Sequence, residues 1–129
     1  MTRPPGWREV ESASGPDLPM SGRVAVALLA GQAIALTEGV TATAGPAGRW
    51  LTVGAAHEIP GVLAVEDGQG CVDIELHLVV RWPPRMPLEQ LGEQLRERLR
   101  NSAAMARIGD RLGAVSVAFD DVLTEPAST

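Results

Sequence analysis

The chain has 129 residues, which is enough for one domain with a hydrophobic core and too short for two domains of ordinary size. Apolar residues make up 45% of the sequence and charged residues 21%, a composition that argues against wholesale disorder. The formal net charge is −5, and all eleven basic residues are Arg. This acidic balance argues against a general nucleic-acid binder and against attachment to anionic lipid through a basic surface.

Cysteine and aromatic residues are too few for several kinds of site. The single cysteine, Cys71, excludes an intrachain disulfide framework and a thiolate-rich metal site, and it fits a reducing compartment. The four aromatic residues are poor material for a base-stacking platform: Trp7, Trp50, Trp82 and Phe119. The longest apolar run, 24–36, is shorter than the roughly 20 residues that span a bilayer, so we expect no direct membrane insertion.

The first half of the chain predicts a flexible arm, a helix and a short strand. Residues 1–20 are rich in Pro, Gly and Ser and are typical of an arm. Ser21 is a suitable N-cap for a helix over 23–37, and Gly39 suits the turn after its end. Residues 40–43 predict a short strand. The stretch 44–60 stays open between strand and helix.

The clearest pattern in the chain is a β-hairpin over 62–82. Apolar and polar residues alternate from Cys71 to Trp82, which indicates a long strand with one buried face. The turn before it, 67–70, is Asp-Gly-Gln-Gly, and Asp and Gly tolerate positive φ. Residues 62–66 predict the partner strand.

The remaining pattern is a helix followed by a strand. Leucines at three- and four-residue spacing predict an amphipathic helix over 87–104, opened by Pro87, and alternation around Val117 predicts a final strand. The fold class is therefore α/β (α+β), with about four strands and two helices on one face of a small sheet. We assign 21–123 to this domain and 124–129 to a C-terminal tail.

The polar face of the long strand is the candidate interaction surface. We assign it five residues: Asp73, Glu75, His77, Arg81 and Trp82. The two acids and the histidine have metal-ligand chemistry, but neighbours on one strand splay apart, so a solvated sheet face is the favoured interpretation. Trp82 is either an exposed anchor beside two prolines or a core residue. We assign no catalytic, cofactor-binding or metal-binding residue.

These motifs, taken in order, resemble the bacterial alkaline shock protein family of envelope stress response proteins. The matching segments run over about 22–122 and are Leu-Thr-Glu-Gly-Val at 36–40, Val-Asp-Ile-Glu-Leu-His-Leu-Val-Val at 72–80, Met-Pro-Leu-Glu at 86–89 and Val-Ser-Val-Ala-Phe-Asp-Asp-Val at 115–122. The chain departs from the family at 83–85, where Pro-Pro-Arg replaces the usual Tyr-Gly-Val.

The resemblance implies a non-enzymatic role without cofactors. It implies a cytoplasmic scaffold, peripheral at the inner face of the membrane, that self-associates or docks on a small integral membrane protein. A small ligand- or RNA-binding regulatory module is the alternative function, although the acidic charge disfavours RNA. An enzyme is the least favoured class, because no nucleophile motif or acid–base constellation stands out in the sequence.

Overall fold

The computed structural model describes residues 21–54 and 56–124, and the predicted arm over 1–20 lies outside the described residues. The helices and strands are α1 Gly22–Ala35, β1 Val40–Ala42, β2 Leu51–Gly54, β3 His57–Pro60, β4 Val62–Glu66, β5 Val72–Trp82, α2 Leu88–Met105 and β6 Leu112–Thr124. Single 3-10 turns at Pro46–Gly48 and Gly109–Arg111 precede β2 and β6.

Strand β5 is the centre of the main four-stranded sheet. Strands β4 and β1 share one of its edges and both run antiparallel to it, with β4 opposite Val72–Leu76 and β1 opposite Leu78–Val80. Strand β6 runs parallel to β5 along the whole of the other edge, and α2 makes the crossover that a parallel connection requires. Strands β2 and β3 form a separate two-stranded sheet.

The hydrophobic core lies between the two helices and one face of the main sheet. Helix α1 begins at Ser21, whose Oγ accepts a hydrogen bond from the Val24 amide at 3.2 Å, so the N-cap prediction is confirmed. The alternate β5 residues Ile74, Leu76 and Leu78 are buried against the helices. From the helices come fully buried side chains: Val26, Ala27, Ala30, Leu95 and Leu99.

The predicted fold class is confirmed, and most predicted elements differ from the observed ones only at their ends. Residues 44–60, left open by the sequence, contain a loop and the β2–β3 hairpin. Thr52 joins that hairpin to the main sheet: its Oγ1 donates to the Val62 carbonyl at 2.6 Å and accepts from the Ala64 amide at 3.1 Å. Across 21–54 and 56–124, no helix is long and apolar enough to cross a membrane.

Candidate functional site

His77 lies in the middle of β5 and is the centre of a polar cluster on the sheet face away from the helices. Its neighbours Leu76 and Leu78 point into the core, so the imidazole projects from the opposite face. Nδ1 lies 2.9 Å from Asp120 Oδ2, and Nε2 lies 2.8 Å from Glu75 Oε2. We call His77, Glu75, Asp120 and Trp50 the His77 cluster.

Trp50 covers the imidazole. The two rings are stacked with their centroids 4.1 Å apart and their planes 3° apart, which leaves His77 only 5% exposed. Gly45, with φ 75, packs against the same indole, and a Cβ at that position would be 2.2 Å from Trp50 Cε3. The loop 44–50 therefore needs Gly45 both for its backbone conformation and for the close approach of the indole.

A β-bulge brings Asp120 to His77. In the β5–β6 register Leu78 is opposite Phe119 but Val79 is opposite Asp121, so Asp120 is the extra residue. A bulge re-aims the side chain it carries, and this one turns a carboxylate toward the imidazole. The contact joins residues 43 positions apart in the sequence.

The backbone of His77 joins two other strands at the opposite edge of β5. Its amide donates to the Gly61 carbonyl at 2.8 Å, and its carbonyl accepts from the Thr43 amide at 3.0 Å. His77 thus lies where β4 begins and β1 ends. Its side chain contacts Asp120 on β6 and the indole of Trp50, so His77 also links β6 and the loop 44–50 to β5.

The geometry of the His77 cluster favours a structural role over catalysis. Both ring nitrogens point at carboxylate oxygens, so neither is directed at solvent, a cavity or a metal position. Among the described residues no group of three or more His, Cys, Asp or Glu side chains is placed to hold a metal ion. The contacts of the cluster hold two strands and a loop together.

Of the five residues predicted as an interaction surface, four are exposed and His77 is buried. Asp73 Oδ1 accepts from the Ala114 amide at 2.9 Å, beside the other register shift between β5 and β6. Glu75 holds His77, and the prediction of a solvated face is wrong at His77 because Trp50 covers it. Arg81 and Trp82 lie at the other end of β5, where both are exposed.

Trp82 was predicted to be either an exposed anchor or a core residue. Trp82 is 46% exposed, so it is not a core residue. Trp50 and Asp120 were not assigned to any site. The one signal for Asp120 is the Asp120–Asp121 pair, which interrupts the alternation of the final strand.

Strand β6 is an exposed edge. It is 13 residues long, and in the part of the chain that the structure describes only β5 pairs with it. Apolar side chains are exposed at the shared end of β5 and β6: Trp82, Val122 and Leu123. An unpaired strand edge beside exposed apolar groups is the chemistry of a protein–protein contact.

Comparison of the chain with family models, with curated proteins and with solved structures gave no match. The resemblance to the alkaline shock proteins therefore stays a prediction from the sequence motifs.

Proposed function

We propose that this protein is a non-enzymatic scaffold that self-associates through the edge of β6. The observation that carries the proposal is the uncharged segment Leu112–Phe119 on that edge. Edge strands that must stay single are commonly protected by charged residues or proline, and this segment contains neither. From α2, Arg96 Nε donates to one of its carbonyls, that of Val115, at 2.9 Å. A second copy of the strand is the partner that matches its length and composition.

Charge complementarity favours an antiparallel copy centred on Ser116. In that pairing, residues equally far from Ser116 face each other, so Arg111, in the turn just before β6, comes near the partner's Asp121 at each end. Opposite charges facing each other across an antiparallel pair are stabilising, whereas like charges destabilise it. Both side chains are exposed and available for this contact.

The wider role rests on the motif resemblance. It places the scaffold in an envelope stress response, in the cytoplasm at the inner face of the membrane, docked on a small integral membrane protein. The exposed Trp82 and Arg81 at the end of β5 are the side chains we assign to that docking. The closed geometry of the His77 cluster supports a function without catalysis.

Self-association is tested by sedimentation velocity and light scattering across a range of protein concentrations. We expect a dimer for the wild type and a weaker dimer for Ser116→Lys, because two ammonium groups then meet at the centre of the pair. Asn101→Lys, at an exposed position on α2, is the control for added charge.

A mixing experiment separates a lost interface from a misfolded chain. Ser116→Glu alone should also dissociate, and an equimolar mixture of Ser116→Lys and Ser116→Glu should recover a heterodimer. A wild-type chain that is monomeric at every concentration would refute the proposal. So would a Ser116→Lys variant that keeps the wild-type dimer.

The membrane partner is tested by affinity capture from detergent-solubilised membranes, with the bound proteins identified by mass spectrometry. We expect one small integral membrane protein in near-stoichiometric amount, and less of it with Arg81→Glu at an unchanged melting temperature. Capture that is equal for Arg81→Glu and the wild type would exclude this end of β5 as the docking site.

A further inference from the structure

A cavity of about 470 Å³ opens at one end of the helix layer, apart from the His77 cluster. It lies between the segment after α1, the end of β5, the loop 83–86 and one face of α2. Its volume falls in the range of about 300–1,000 Å³ that small-molecule sites usually have. None of its lining residues belongs to the edge segment Leu112–Phe119, so the inference does not depend on self-association.

The walls combine apolar surface with arginine. Leu36, Val80, Met86 and Leu91 supply apolar side chains, and Arg81, Arg85 and Arg98 supply guanidinium groups. A protein with a net charge of −5 thus concentrates three of its eleven cations around one cavity. This combination selects for a negatively charged ligand that also has an apolar part.

Arg98 lines the cavity and has a buried nitrogen without a hydrogen-bond partner among the described residues. It projects from α2 on the same face as Leu91 and Gln94, the other two α2 residues that line the cavity. Its Nε is buried and has no hydrogen-bond partner in the described structure. A buried donor on a charged group is costly to leave unsatisfied, so this position favours an acceptor brought by a ligand.

Among the described residues, no group of the cavity wall accepts a hydrogen bond from Arg98 Nε. The one carboxylate of the wall, Glu38, is already paired with Arg85. The adjacent Gln94 side chain offers an amide donor as well as an acceptor, and it lies one turn from Arg98 on α2. Arg81 also has an interaction within the protein. The charge left for a ligand at the cavity is therefore the single positive charge of Arg98, which matches a monoanion.

We infer that this cavity binds a small monocarboxylate with an apolar body. The planar guanidinium fork of Arg98 matches the two oxygens of a carboxylate, and Gln94 donates a further hydrogen bond. The apolar body lies against Leu36, Met86 and Leu91.

The inference is tested by isothermal titration calorimetry and thermal shift with octanoate as the probe. We expect saturable binding of one octanoate per chain and a rise in melting temperature, because a ligand that binds only the folded state stabilises it. 1-Octanol has the same apolar body without the charge, and inorganic phosphate has the charge without the body. Both should bind at least tenfold more weakly.

Two variants assign the binding to Arg98. Arg98→Gln should weaken octanoate binding at least tenfold, while Arg100→Gln, at an exposed arginine on the same helix, should leave it unchanged. Three results would overturn the inference: no octanoate binding by the wild type, octanol binding equal to octanoate, or Arg98→Gln binding equal to the wild type. The first two need no variant, so a poorly folded Arg98→Gln does not prevent a decision.

Discussion

Removing Asp120 should destabilise the fold more than removing Glu75, although each carboxylate makes one contact of similar length with His77. The Asp120 side chain is 25% exposed and that of Glu75 is 52% exposed, against 7% for the imidazole. Asp120→Ala leaves Nδ1 without an acceptor in a mostly buried position, which costs about 1–3 kcal/mol. Glu75→Ala opens Nε2 to water, and the loss of an exposed pair costs about 0–1 kcal/mol.

The assay is urea and thermal unfolding of the two variants at one protein concentration, because self-association would make stability depend on concentration. For a domain of this size each kcal/mol is worth about 4 °C in melting temperature, so Asp120→Ala should melt a few degrees below Glu75→Ala. Glu97→Ala is the control, since it removes an exposed carboxylate on α2, away from the His77 cluster and from the edge of β6. Equal losses for Asp120 and Glu75, or a larger loss for Glu75, would refute the reasoning.

Two further predictions compare matched pairs of residues. Gly45→Ala should lower the melting temperature more than Gly48→Ala and red-shift the Trp50 emission, because both glycines have positive φ but only Gly45 is in contact with the indole. Similar losses in the two variants would show that the Trp50 stack contributes little. Leu95→Ala should cost about 2–5 kcal/mol in urea unfolding because Leu95 is 0% exposed, whereas Leu36→Ala, at a side chain 69% exposed, should cost far less. A small loss for Leu95→Ala would contradict the placement of α2 over the core.

The regular elements were predictable because their signals are local. The alternation of apolar and polar residues predicts β5 whatever elements pack against it, and the spacing of the leucines predicts α2 in the same way. The turn at 67–70 could be identified because Gly68 and Gly70 do adopt positive φ, at 84 and 94. The Ser21 N-cap was also assigned correctly, because an N-cap depends on the few residues that follow it.

Only the tertiary structure decided the hairpin in 44–60 and the partners of His77. The β2–β3 hairpin is short, and Thr52 ties it to β4 by hydrogen bonds that no local pattern encodes. Alternation correctly placed His77 on the face away from the core, but its burial depends on Trp50, which a loop brings across the sheet. The Asp120 contact depends on a one-residue register shift between two parallel strands.

The regular elements were predictable and the contacts of His77 were not, because a residue's backbone preference is local whereas its surroundings come from the whole fold. Backbone propensity and side-chain periodicity are properties of a few consecutive residues, so the sequence by itself determined the helices, the long strand and the face each strand buries. The polar side chains on β5 satisfy their hydrogen bonds through whichever groups the fold brings near. Those groups come from distant segments, so tertiary structure alone decided that His77 and Asp73 hold β6 in place.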